Sequence, residues 1–180
     1  MSTDYSWLPP LVPNPGNWNE YLETLYQYFV ADFVRSVPQF SNKRVGLKRH
    51  PLRRGKEATF WHFIEEAENS QKEISEESRI PSFRCCERIR WPKPVMEQFS
   101  ENEPNNPRIL WWKTTRRSNV RIMKRYVLAL PDFSYVVIIE DRGDYVLPWT
   151  QFPVEQHHQR HKLKKEYIAY WAGQKARGTV

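Results

Sequence analysis

Arg108-Ile-Leu-Trp-Trp-Lys113, Arg121-Ile-Met-Lys-Arg-Tyr-Val-Leu-Ala-Leu130, Phe133-Ser-Tyr-Val-Val-Ile-Ile-Glu140 and Asp144-Tyr-Val-Leu-Pro-Trp-Thr-Gln-Phe152 read as four consecutive strands. β-Branched and aromatic residues dominate each run, and Pro131-Asp132 and Arg142-Gly143 punctuate them. The Arg142-Gly143 turn is too short for a crossover, so the third and fourth strands must be antiparallel neighbours. Phe133, Tyr135, Val137 and Ile139 share one face of the third strand; Ser134, Val136, Ile138 and Glu140 share the other. A strand apolar on both faces belongs in the interior of a sheet. The reading is an antiparallel meander.

Working outward, residues 1–16 carry Pro9, Pro10, Pro13 and Pro15 and predict an extended arm, laid on the domain or partly disordered. Asn17 with Glu20 three residues on has the form of a capping box. It opens a first helix whose Trp18, Tyr21, Leu22, Leu25, Phe29 and Phe33 recur at helical spacing up to Val37-Pro38. Residues 40–54 read as a strand or loop carrying a basic block. Residues 55–67 read as a second helix, with Phe60, Ile64 and Ala67 on its stripe and Lys56, Thr59 and His62 along a flank. An acidic segment follows, its helix end giving way to a loop across 68–78.

From Arg84 the chain reads as a strand, Glu87, Ile89 and Trp91 on one side and Arg84, Arg88 and Arg90 on the other. Residues 100–107 form an exposed loop. After the meander, residues 155–171 predict a third helix that buries Leu163, Tyr167, Tyr170 and Trp171. The fold class is therefore α+β: N-terminal helices packed on a four-stranded or slightly larger antiparallel sheet, with a C-terminal helix. A single domain spans 17–172, between the arm and a basic tail at 173–180.

The chain has 180 residues, enough for one sizeable core. Apolar residues make up only 39%, but eight Trp, nine Tyr and nine Phe each bury a large area. No apolar run approaches a membrane span and no signal core is visible, so the expected location is cytoplasmic, without membrane. Cys85 and Cys86 are adjacent and poorly placed for a disulfide. The net charge of +7 is uneven: residues 43–56 hold seven Lys or Arg and no acid, residues 84–125 eleven against four acids, and residues 65–77 six acids against Lys72. Charge this sided points to a polyanionic partner, RNA, although a solvated basic face has the same composition.

Six glycines leave little room for a phosphate-cradling loop, and no nucleophile elbow, zinc-finger spacing or dinucleotide fingerprint is present. No cofactor and no metal are expected; His157 and His161 are four apart but lack an acidic third ligand in a lysine-rich setting. A metal-independent ribonuclease fits this inventory, because RNA supplies its own nucleophile in the 2′-hydroxyl. Such a site needs a base, a proton donor and cations for the phosphorane charge. His62, Lys56, Arg88 and Thr150 are the candidate catalytic residues, and Arg84, Arg90, Trp91, Trp111, Lys113, Arg116 and Arg117 the candidates for gripping RNA. The same residues also fit a structural histidine, an edge strand guarded by charge, a regulatory or nucleic-acid-binding module that does not cut, and a basic protein docking an acidic partner.

Gly55-Lys-Glu-Ala-Thr-Phe-Trp-His62, Arg84-Cys-Cys-Glu-Arg-Ile-Arg-Trp91 and Tyr145-Val-Leu-Pro-Trp-Thr-Gln-Phe152, in that order, resemble the barnase/EndoU/colicin/RelE superfold of small nucleases and toxins, especially its phage- and mobile-element-associated branches. The resemblance covers roughly residues 55–165. It implies helices followed by a four-stranded antiparallel sheet, an early imidazole or basic group, and a hydroxyl late in the sheet, here Thr150. It further implies an RNA endonuclease acting as a toxin or mobile-element effector, and an acidic antitoxin or inhibitor protein as partner. The chain departs from the pattern at Pro148, which confines the last strand to an edge, a bulge or its end, and at Gln151-Phe152, where Ala-Tyr is commoner.

Overall fold

The computed structural model describes residues 4–67, 79–117 and 119–178. Helix α1 (Trp18–Phe29) passes into a π-helical segment (Val30–Arg35), followed by β1 (Arg44–Val45), α2 (Ala58–Ile64), β2 (Glu65–Ala67) and β3 (Arg79–Pro81). Then come the short helices α3 (Phe83–Cys86) and α4 (Pro92–Glu97). The strands β4 (Leu110–Arg117), β5 (Ile122–Ala129), β6 (Tyr135–Asp141) and β7 (Tyr145–Pro153) lead to α5 (His157–Ala176). The fold is α+β, as its sequence predicts.

The meander is antiparallel throughout, and β6 is its middle strand in the order β1-β7-β6-β5-β4. The fifth strand is the short β1, which adds in parallel to Tyr145 and Val146. β2 and β3 pair separately.

Alternation divides the sheet residues between two cores. On one face Trp111, Tyr126, Leu128, Val137 and Ile139 pack with Leu22, Leu25 and Phe29 of α1 and with Phe60, Phe63 and Ile64 of α2. Phe29 stands at the centre of this aromatic cluster, 5.5 Å from the rings of both Phe33 and Phe60. On the other face Trp112, Val127, Ala129 and Val136 pack with Leu163, Tyr167 and Tyr170 of α5. The predicted arm lies on the first core: Leu8 and Val12 are buried, Val12 N–H bonds Glu87 O at 2.8 Å, and the Tyr21 hydroxyl donates to Val12 O at 2.9 Å.

On the side away from β6, no strand among the described residues lies beside β7 beyond Val146, where Gly46 N–H makes the last bond at 2.8 Å. Pro148, which has no N–H to donate, stands at this unpaired edge next to a bulge. The register passes from Ile138↔Thr150 to Ile139↔Pro148 and leaves Trp149 unpaired. The C-terminal carbonyls of α2 seal the edge. Thr150 Oγ1 donates to His62 O at 3.0 Å, Gln151 Nε2 to Phe63 O at 2.6 Å and Cys85 O at 2.9 Å, and Ser82 N–H to Ile64 O at 2.8 Å. A helix end otherwise leaves these carbonyls without partners.

Three local expectations are corrected. Residues 84–91 are not a strand: α3 runs into helical turns through Trp91 N–H to Arg88 O at 2.9 Å, so Arg84, Arg88 and Arg90 form no stripe. α2 begins only at Ala58, because Lys56 is bridged back to Arg53 ahead of it, and it ends at Ile64. α5 continues to Ala176, through the start of the predicted tail. The predicted acidic loop over 68–78 lies outside the described residues.

A polar network ties β1 to the sheet. Lys43 Nζ bonds Asp141 Oδ1 at 2.8 Å, Lys113 Nζ bonds Glu101 Oε1 at 2.8 Å, and the Tyr126 hydroxyl donates to Glu101 at 2.9 Å. Burial alone raises the Asp141 carboxyl, but the Lys43 and Gly143 hydrogen bonds outweigh it and hold it below its ordinary value. The Lys113 hydrogen bond lowers Glu101 in the same direction.

Two outcomes are expected. Gln151→Leu strands two buried carbonyls and should cost about 2–4 kcal/mol in urea unfolding; a loss below about 0.5 kcal/mol would remove Gln151 from this role. Because Asp141 and Glu101 are depressed in the folded chain, their stabilisation is present above their unfolded pKa values of about 4 and is lost as pH falls through the folded values. Asp141→Asn should therefore flatten the acid limb of stability against pH, and an unchanged limb would exclude this carboxyl as its source.

Candidate nucleic-acid interface

The bulge that frees Trp149 from pairing turns its indole into a meeting point. The His62 ring meets it edge-on at 5.1 Å, Lys48 Nζ lies 5.3 Å from its centroid, and the Arg125 guanidinium carbon 5.4 Å. Each group is delivered by a different element. His62 comes from the end of α2 and is 5% exposed. Lys48 is clasped by Thr59 of α2, whose hydroxyl accepts from Lys48 N–H at 2.9 Å and whose own N–H donates to Lys48 O at 3.0 Å. Arg125 comes from β5, in register with Glu140 of β6.

The Thr114, Arg125, Glu140 and Leu147 row lies next to the residues that α5 packs against on this face. Glu140 is 2% exposed and pairs with Arg142 at 2.9 Å and Arg121 at 3.3 Å. Arg125 is 9% exposed, and neither its Nε nor Glu140 Oε2 has a hydrogen-bond partner among the described residues. Burial first, and then the like charge of Arg116, push the Arg125 guanidinium below its ordinary pKa, against the pull of Glu140. Arg121, Arg125 and Arg142 thus gather at the Glu140 carboxylate, with Arg116 acting on Arg125 from the end of β4. Such a surface attracts anions and offers an aromatic face beside them.

Of the catalytic candidates, the structure brings His62 and Thr150 together but joins them through the His62 carbonyl, so the Thr150 hydroxyl is engaged as a helix cap. Lys56 turns away toward α1, where its Nζ bonds Glu23 at 2.6 Å and lies 4.7 Å from the Tyr26 ring. Arg88 is ion-paired with Glu87, donates to Arg84 O at 2.9 Å and covers the Trp91 ring at 5.1 Å.

Among the binding candidates, Arg84 pairs with Glu155, Arg90 covers Tyr28 at 4.7 Å, and Lys113 holds Glu101. Trp91 donates its indole N–H to Pro9 O at 2.8 Å, and Trp111 is buried in the first core. Arg116 and Arg117 are exposed at the end of β4, and Arg116 acts electrostatically on Arg125. His157 and His161 line an open groove of about 510 Å³ with Arg160, Lys164, Phe133 and Tyr167.

Lys48, Arg125 and Trp149 escaped the sequence reading. Lys48 belongs to the first basic block and Trp149 stands beside Pro148, but only the bulge and the β5–β6 register bring them together. No protein-family model, curated protein or solved structure matches this chain.

Thr150→Val should leave the His62 carbonyl unpaired and lower unfolding stability by about 1–2 kcal/mol. Thr150→Ser should recover most of it. A stable Val variant would show that the hydroxyl is not needed as a cap.

Proposed function

We propose that this protein is a metal-independent RNA endonuclease whose site is the Trp149 cluster rather than the dispersed set read from sequence. The observation that supports it is the meeting of an imidazole and two cations, His62, Lys48 and Arg125, on one indole. In this reading a base stacks on Trp149 and the adjoining phosphate lies against Lys48 and Arg125. His62 takes the proton from the 2′-hydroxyl or gives one to the leaving oxygen, and the cations stabilise the phosphorane. Lys56 and Arg88 leave the catalytic set, because each is held by a carboxylate elsewhere. A toxin or mobile-element role, a cytoplasmic location and an acidic antitoxin or inhibitor partner belong to the same reading by resemblance. No helix among the described residues is long and apolar enough to cross a membrane.

A second reading, RNA binding without cleavage, is favoured by the burial of His62 and the engagement of the Thr150 hydroxyl. One experiment separates the two: purified protein is incubated with total RNA in excess chelator beside His62→Gln, with folding of the variant verified by thermal melting. Discrete cleavage by the wild type that falls at least about 100-fold in the variant supports catalysis, the size expected for a lost general acid or base. Intact RNA with salt-sensitive retention supports the binding module. Intact RNA without retention overturns both.

A further inference from the structure

Residues 116–125 contain Arg116, Arg117, Arg121, Lys124 and Arg125 and no acid. The last β5–β6 pair is Lys124↔Asp141, so Arg116↔Met123 and Arg117↔Ile122 pair only with each other and form a ribbon beyond the sheet. Strand alternation puts Arg117 and Lys124 on one side of the ribbon and Arg116 and Arg125 on the other. Near its end Val120 is 91% and Ile122 60% exposed. Charge that only guards an edge strand does not require cations on both sides of the strand pair.

A duplex groove presents phosphates on both of its walls, and a ribbon with cations on both sides meets both. A flat basic patch meets one. Arg125 is in register with Thr114 in this strand pair and lies by Trp149, so the ribbon and the cluster adjoin each other. We propose that the free end of the β4–β5 hairpin grips a duplex stem of RNA, placing the unpaired segment next to it on Trp149. The preferred substrate class is then RNA in which a stem adjoins a single strand. This inference rests on the RNA reading above.

The test measures binding of the full chain to two 2′-O-methyl RNAs of equal length, a stem–loop with an unpaired overhang and an unstructured strand. These lack the attacking hydroxyl, so cleavage does not interfere. The variants are Arg117→Ala/Lys124→Ala, exposed residues outside the Trp149 cluster, and Arg116→Ala on the opposite side; thermal melting should leave both unchanged. Each lost duplex phosphate contact lowers the slope of log affinity against log salt by about 0.9. The expected losses on the stem–loop are therefore about 1.8 for the double variant and about 0.9 for Arg116→Ala, with the unstructured strand nearly unaffected. Equal losses on both RNAs, no loss on the stem–loop, or tighter wild-type binding to a matched DNA hairpin would overturn the inference while leaving nucleic-acid binding intact. Retention of neither RNA by the wild type would overturn the RNA reading, and this inference with it.

Discussion

Backbone groups along the outer edge of β7 must find partners, and among the described residues only Tyr145 and Val146 pair there with another strand. Past that point α2 supplies carbonyls and β7 answers with side chains. Thr150 and Gln151 donate into the end of α2, Gln151 also reaches Cys85 O, and the Cys85 thiol lies 3.5 Å from Gln151 O. This exchange fixes where α2 stops, holds α3 beneath it and presses the His62 ring against Trp149. Pro148, which would weaken an interior strand, costs no ladder bond here, and the bulge beside it releases the indole from the sheet.

The opposite edge is handled differently. α5 lies against β4, with Trp171 donating its indole N–H to Trp111 O at 2.8 Å and Tyr167 packing edge-on against Trp112 at 5.9 Å. Arg160 Nε anchors the other end of the helix at Val154 O, 2.7 Å away. Consecutive tryptophans point to opposite faces of a strand, so α5 spans the edge between the two cores. It does so only over the first residues of β4. Arg116 and Arg117, further along, are exposed cations rather than covered backbone.

How much of this could be read from the sequence follows from the range of the interactions. Alternation and short turns are local, so the meander, its central strand and the Asn17 cap were legible, the last seen as Asn17 Oδ1 accepting from Glu20 N–H at 3.1 Å. The strand reading of residues 84–91 failed because evenly spaced arginines dominated it. Buried Cys85, Cys86 and Ile89 carry the better signal: spacings of four and three place them on one side of a helical turn. Lys56 and His62 shared a flank only if the helix began at Gly55, and the Arg53–Lys56 bridge delays it. Trp149 was illegible for another reason. A bulge is a property of two strands together, and Thr150 meets its partner 88 residues away in the chain.

A net charge of +7 does not say where a polyanion would sit, because many of its cations are already neutralised. Lys43, Arg53, Lys56, Arg84, Arg88 and Lys113 each face a carboxylate. Whether such a pair is exposed, as Arg84–Glu155 is, or partly buried, as Lys43–Asp141 is, it removes a cation from the set an anion would attract. Next to Trp149 the arrangement differs, since Arg121 and Arg142 both pair with Glu140 and Arg125 feels the same carboxylate. Glu140 lies within β6, bonded on both sides, and cannot follow the arginines outward. In the proposed reading, a phosphate at this place would compete with one fixed carboxylate for the guanidinium groups of Arg121, Arg125 and Arg142. An excess of cations held at one place by the sheet is what distinguishes this face from the rest of a basic surface.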